Sequence, residues 1–260
     1  MNKLQKTILS LFVDSSKRPK KTPIHESAIQ IRLENKHPVW KVSYALEKLE
    51  NLGLLSSVTE KIKNTKKAKF YFSTKLLEKA SQNKIRKKIR RSAYWINRYS
   101  DPKITSMLGS HLHSLVDAEL RAHGFKIKKG KDIRTFRRKN WEKSQQGLDI
   151  IAENPEKKLA VGVEIKNMLY LIPKDEIDDK FEMCKKLGLV PIFACRWIEP
   201  YRTEITSKGG FAWQFKNQIY PFGQEKFVDI IKKRFHFPLI VSGELPPQAI
   251  KTLENWLTSY

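Results

Sequence analysis

The chain has 260 residues, with 51 Lys and Arg against 27 Asp and Glu and a formal net charge of +24. That length accommodates two domains with a real core, and so large a surplus points to a polyanionic partner. No apolar run approaches the ~20 residues that span a bilayer, residues 8–13 are too short for a signal-peptide core, and Cys184 and Cys195 lack metal-ligand spacing, so a cytoplasmic protein with reduced thiols and no membrane partner is expected.

The positive charge is concentrated early, since residues 1–100 hold 24 Lys and Arg but 7 Asp and Glu. Leu4, Ile8, Leu11 and Phe12 recur at helical spacing. Pro19 and Pro23 then break the chain, and 26–33 reads as a second helix. Pro38 precedes a third helix, 39–52, which Gly53 closes. Its apolar stripe is Val42, Ala45, Leu46 and Leu49, and Lys41, Tyr44 and Lys48 fall on the opposite face. Strand-like segments at 54–60 and 68–73 flank a turn that is rich in lysine.

Three helices followed by a basic hairpin resemble a winged helix-turn-helix domain, here assigned to residues 1–80. The run 45–55 looks like the end of its recognition helix passing into the wing. The resemblance implies a third helix in the major groove of DNA and a wing on the backbone. Lys41, Ser43, Tyr44 and Lys48 would then face DNA, and Lys61, Lys63, Lys66 and Lys67 would lie along phosphates. A helical domain with a merely solvated basic surface and a protein-docking winged helix are the competing readings.

Residues 81–103 read as a basic helical linker. Its run 84–91 is either a solvated helix or a strap that adds phosphate contacts. Tyr94, Trp95 and Tyr99 have the faces to stack on bases, although packing against a domain is the expectation.

From residue 104 the pattern gives a helix (105–122), a strand near 125–128, a basic loop, a hairpin, a helix (173–187) and a strand (190–196). The hairpin carries most of the information. Its first strand holds Asp149. Along its second strand, side chains alternate with period two. Ala160, Gly162, Glu164 and Lys166 therefore share one face, while Val161, Val163 and Ile165 share the other. A buried charge costs several kcal/mol unless it is paired or metal-bound (roughly,), so Glu and Lys in an apolar strand need a reason. A surface hairpin with a cross-strand ion pair is the plain alternative.

This constellation, with its α-β-β-β-α-β order, resembles the PD-(D/E)XK nuclease superfamily. The resemblance implies a mixed-sheet, restriction-endonuclease-like α/β core over 104–260, flanked by helices and preceded by the small α+β winged-helix domain. It further implies Mg²⁺, for which Mn²⁺ can substitute, held by Asp149, Glu164 and the Ile165 carbonyl, with Lys166 orienting or deprotonating the attacking water. Hard oxygen ligands suit such an ion. Leu148 stands where the pattern usually has Pro. In related resolvase-like enzymes the first core helix carries a Glu, and here His113 falls near that slot. Glu119 lies farther along the apolar face of the same helix. It needs a partner, either at the metal site or locally in Arg121 or another cation.

The basic loop 126–139 is expected to line a nucleic-acid groove, and Asn167 is placed to touch phosphate. The acidic run 175–182 reads as a structural helix start. The tail is expected to hold a strand at 211–219, a helix at 224–234, a strand at 238–241 and a last helix from 246. The functional expectation is a metal-dependent DNA endonuclease, restriction-like or structure-specific, and a homodimer if it cuts both strands symmetrically. The alternative is a DNA-binding regulator or assembly factor with an inactive nuclease-like domain.

Overall fold

The computed structural model describes residues 1–20, 22–62, 67–76 and 82–260, with the backbone alone for 129–131. The chain is mixed α/β and divides into two compact units. One is Met1–Thr105 with Asp229–Phe237, and the other is Ser106–Val228 with Pro238–Tyr260.

In the first unit, α1 (Lys3–Ser10), α2 (Glu26–Leu33) and α3 (Val39–Asn51) are joined by β1 (Ile24–His25), β2 (Leu55–Lys61) and β3 (Lys67–Ser73). A capping box starts α1, in which the Asn2 and Gln5 side chains each accept from the other's backbone N–H, satisfying two donors that a helix end leaves open. Gly53, at φ +68°, stops α3 and lets its N–H reach the Glu50 carbonyl. The apolar stripes then meet, with Ile8, Phe12, Ile29, Val42, Leu46 and Leu49 fully buried beside Leu55 and Tyr71. The sheet order is β1-β3-β2, antiparallel throughout. β1 is too short to leave a periodic signal in the sequence.

The expected linker belongs to this unit. It forms α4 (Gln82–Tyr99), which buries Ile85, Ile89, Ala93 and Ile96 and lies on β2 and β3. These four apolar residues recur at i, i+4, i+8 and i+11, a packing stripe hidden among cations. The unit boundary falls after Thr105, close to the expected start of the second domain at 104, and Asp229–Phe237 joins the first unit.

In the second unit, α5 (Pro102–Ala122, from Ser106 onward) precedes β4 (Lys126–Ile133), β5 (Thr135–Phe136), β6 (Lys139–Asn140), β7 (Leu148–Asn154) and β8 (Leu159–Lys166). Then come α6 (Lys174–Leu187), β9 (Val190–Cys195), a 3-10 turn (Glu199–Tyr201), α7 (Arg202–Ser207), β10 (Phe211–Gln214), β11 (Gln218–Tyr220), α8 (Glu225–Phe235), β12 (Leu239–Val241) and α9 (Pro247–Leu257). The five-stranded sheet has the order β10-β9-β8-β7-β4. β4, β7 and β8 run antiparallel, while β8, β9 and β10 run parallel.

The two faces of the sheet bury different layers. Ile150, Ala152, Val161 and Val163 pack with Leu112, Val116 and Leu120 of α5 and with Leu253 and Leu257 of α9. On the other side, Leu148 and Ile151 pack with Met183, Cys184 and Leu187 of α6. Among the described residues no helix is long and apolar enough to cross a membrane.

Two expectations change here. The segment 211–219 is two strands: β10 is the edge of the main sheet, whereas β11 pairs with β12 in a separate parallel ribbon. Lys216, at φ +65°, turns the chain between them. The basic loop contains the bulged strand β4 and a small hairpin, β5–β6, with Arg137 and Arg138 both at positive φ.

Candidate active site

The β7–β8 register pairs Ile150 with Val163, so one step further sets Asp149 opposite Glu164. Residues opposite each other in an antiparallel pair share a face. This face looks toward α6, because a Cβ on Gly162, two residues before Glu164, would meet Cys184 Sγ at 2.8 Å. Asp149 is half-buried, and its Oδ2 accepts from the Ile165 N–H at 2.7 Å. Glu164 is 2 % exposed.

Two lysines neutralise Glu164. Lys166 Nζ lies 2.7 Å from Oε1 and 2.8 Å from Glu176 of α6. Lys180, also from α6 and 3 % exposed, places Nζ 2.8 Å from Glu164 Oε2 and donates to the Gly147 carbonyl. The Lys180–Glu164 contact lacks hydrogen-bond angles, so Glu164 Oε2 is a buried oxygen with no hydrogen-bond partner.

These charges set the protonation of the cluster. Burial pushes the Glu164 carboxyl up, the Asp149 charge adds to the rise, and Lys180 and Lys166 act against it. Burial pulls the Lys166 ammonium down. The charge of Glu164 and the hydrogen bonds to Glu164 and Glu176 outweigh that effect and hold its pKa above the ordinary lysine value. Lys166 is therefore a firmly protonated donor, suited to orienting a water or stabilising developing negative charge and unsuited to removing a proton.

The two carboxylates supply oxygen donors of the kind a hard divalent cation takes, but only two of them. Two carboxylates face each other, the Asp149 charge raises the Glu164 pKa, and Glu164 Oε2 is buried with Lys180 Nζ 2.8 Å away. Among the described residues no group of three or more His, Cys, Asp or Glu side chains is placed to hold a metal. Backbone carbonyl and water would have to supply the remaining ligands.

His113 comes close to this cluster, with Nε2 3.4 Å from the Asp149 carbonyl. Glu119 does not. Its carboxylate meets His123 Nδ1 at 3.2 Å, and the His123 carbonyl accepts from Asn154 at the far end of β7. Five residues of strand separate Asn154 from Asp149, about 17 Å. Local pairing with a histidine therefore accounts for Glu119. Asn167 is also reassigned. Its amide donates to the Leu108 and Ile219 carbonyls at 2.9 and 2.7 Å and accepts from the Ile219 N–H at 3.0 Å, so it ties α5 to β11 and its amide is fully engaged.

Lys180 and Glu176 escaped the sequence reading. The available signal was a lysine inside the stripe Ile177, Lys180, Cys184 and Leu187, where a charge demands a buried partner.

In the first unit, Lys41, Tyr44 and Lys48 are exposed on α3, with Lys48 Nζ 4.8 Å above the Tyr44 ring. Trp40, absent from the sequence expectation, is 66 % exposed on the same helix, with Lys41 Nζ 5.3 Å over its ring. Ser43 leaves the set, because its hydroxyl accepts from Gln30 at 2.9 Å and donates to Glu26 at 3.2 Å. Lys61 and Lys67 face each other across β2 and β3, an unfavourable pairing of like charges that an anion relieves. Lys63 and Lys66 lie outside the described residues. Comparison with protein-family models, curated proteins and solved structures finds no match for this chain.

Proposed function

We propose that the chain is a metal-dependent DNA endonuclease with a PD-(D/E)XK centre in a restriction-endonuclease-like core and a winged helix-turn-helix module for holding DNA. The observation that carries this reading is the cluster of Asp149, Glu164 and Lys166 on one face of the paired strands β7 and β8. Asp149 and Glu164, with the Ile165 carbonyl, would hold Mg²⁺ or Mn²⁺. When bound, such an ion lowers the pKa of a water and neutralises phosphate charge. The Ile165 N–H fixes one oxygen of Asp149 and leaves the other for ligation. Lys166 keeps its proton and presents it beside Glu164, where a phosphodiester oxygen or the attacking water would lie. Glu176 anchors that ammonium from α6. The exposed Trp40, Lys41, Tyr44 and Lys48 face of α3 supports the DNA-holding role.

The test uses wild type and Asp149→Ala at low salt with Mg²⁺, Mn²⁺ or EDTA. Substrates are supercoiled plasmid, linear duplex, single strands and a four-way junction. Metal-dependent cleavage by the wild type alone supports the reading. A fixed cut sequence would indicate a restriction-like enzyme, and a fixed structure a repair or recombination nuclease. One observation favours a DNA-binding regulator with an inactive core: Lys166 and Lys180 already balance Glu164 without a metal. Equal DNA binding by both proteins, with no cleavage under any metal, would select that reading.

A further inference from the structure

Helix α4 has two faces of opposite character. One buries Ile85, Ile89, Ala93 and Ile96. The other borders a groove of about 940 Å³, lined by Arg86, Lys87, Arg90, Arg91, Tyr94 and Trp95. From Asn83, which also lines it, to Trp95 the helix rises about 18 Å. Arg234 closes the opposite side, its guanidinium 3.3 Å from the Ser92 hydroxyl. Among the described residues none of these five cations has a carboxylate within ion-pair distance. Tyr94 is 55 % exposed, and its ring meets Trp95 edge-on at 5.3 Å.

We propose that this groove binds single-stranded nucleic acid, with phosphates along the Arg86–Arg91 stripe and a base stacked on Tyr94. Unpaired cations in a concave track supply the sequence-independent attraction for a phosphate backbone. An exposed aromatic at the end of that track adds nothing for a duplex, whose bases are stacked inside, but offers an unpaired base a face. The cationic lining also continues: Arg234 borders a second cavity of about 510 Å³ with Lys20, Arg32 and Lys233. The proposal extends the DNA-acting reading to substrates with an unpaired strand, and it requires no cleavage.

The test is fluorescence anisotropy of the full chain in EDTA with a labelled dT20, a blunt 20-base-pair duplex and polyglutamate. Tyr94→Ala should weaken dT20 binding by roughly five- to 150-fold and duplex binding by less than about twofold, while Tyr94→Phe retains wild-type affinity. Arg90→Ala combined with Arg91→Ala should reduce the salt slope for dT20 by about 1.4. Unchanged dT20 affinity in a folded Tyr94→Ala protein would overturn the proposal, as would equal losses for dT20 and duplex. Polyglutamate binding that matches dT20 and ignores Tyr94 would instead mark an acidic-protein surface. Failure of the nuclease reading would appear only with metal present and would leave these outcomes unchanged.

Discussion

Lys180 reaches from α6 to within 2.8 Å of Glu164 on β8, and both side chains are almost completely buried. Removing Lys180 leaves the Glu164 charge in a poorly solvated interior with Lys166 as its remaining cation, whereas removing both buried partners leaves no such charge. Lys180→Met should therefore destabilise the protein, by less than the ~3–5 kcal/mol lost where no second cation is present. Adding Glu164→Gln should recover most of that loss. Urea denaturation followed by circular dichroism checks the cycle. Additive losses in the double variant would show that the two groups do not balance each other.

If Asp149 and Glu164 ligate a divalent ion, the ion stabilises the folded chain by mass action. At one hundred times the dissociation constant the gain is about 2.7 kcal/mol. Mg²⁺ or Mn²⁺ should raise the wild-type melting temperature and leave those of Asp149→Ala and Glu164→Gln unmoved. Lys180→Met should enhance the effect, because Glu164 then lacks the ammonium that shares its Oε2 side. A shift of equal size in wild type and Asp149→Ala would place the ion elsewhere.

His25 stands between the rings of Phe70 and Phe235, with centroids 5.1 and 6.2 Å away, and its Nδ1 has no hydrogen-bond partner. Burial lowers its pKa from 6.5 to about 4. The folded state therefore keeps His25 neutral while the unfolded chain takes up a proton below pH 6.5. Stability is full above that pH and falls by about 1.4 kcal/mol per unit as pH drops toward 4, where the loss levels off. Denaturation midpoints at pH 7, 6 and 5 should fall in wild type and fall less steeply in His25→Leu, where His236, also lowered by burial, still contributes. A wild-type midpoint independent of pH between 7 and 5 contradicts the buried neutral state.

The elements of both units were legible wherever a period was long enough to express itself. Helices α1, α3, α5 and α6 and strands β7 to β9 follow directly from stripes such as Val42, Leu46 and Leu49 or from alternations such as Val161 and Val163. The alternation also brought out Asp149, Glu164 and Lys166. What stayed hidden depends on contacts distant in sequence. Lys180 meets Gly147 and Glu164 only because α6 crosses back over β8. Glu119 occupies an apolar stripe for a local reason, its histidine one turn later, and the stripe alone cannot tell that from a metal ligand. Likewise the four packed residues of α4 are outnumbered by cations, so the sequence presents a linker where the fold uses a packed helix.

Three glycines of the second unit should respond differently to Ala, and their order tests the packing around the cluster. A Cβ on Gly147 would sit 2.1 Å from the Asp132 carbonyl carbon and 2.5 Å from the Ile133 nitrogen. Backbone atoms cannot rotate aside, so β4 would have to part from β7 and the Gly147 carbonyl would shift away from Lys180. Gly147→Ala should prevent stable folding of this unit or cost well over 3 kcal/mol, the upper end for overpacking (about,). On Gly162 the Cβ would meet Leu148 Cδ1 at 2.7 Å and Cys184 Sγ at 2.8 Å, side chains that can yield, so about 1–3 kcal/mol is expected. Gly109 lies within α5 with nothing near its Cβ position, and Ala there should stabilise by about 0.5–1 kcal/mol through a less flexible unfolded chain. Thermal melts of the three variants read the order directly. A Gly147→Ala protein as stable as Gly109→Ala would mean that β4 does not approach β7 this closely, and the Gly147 carbonyl would then have no fixed place beside Lys180.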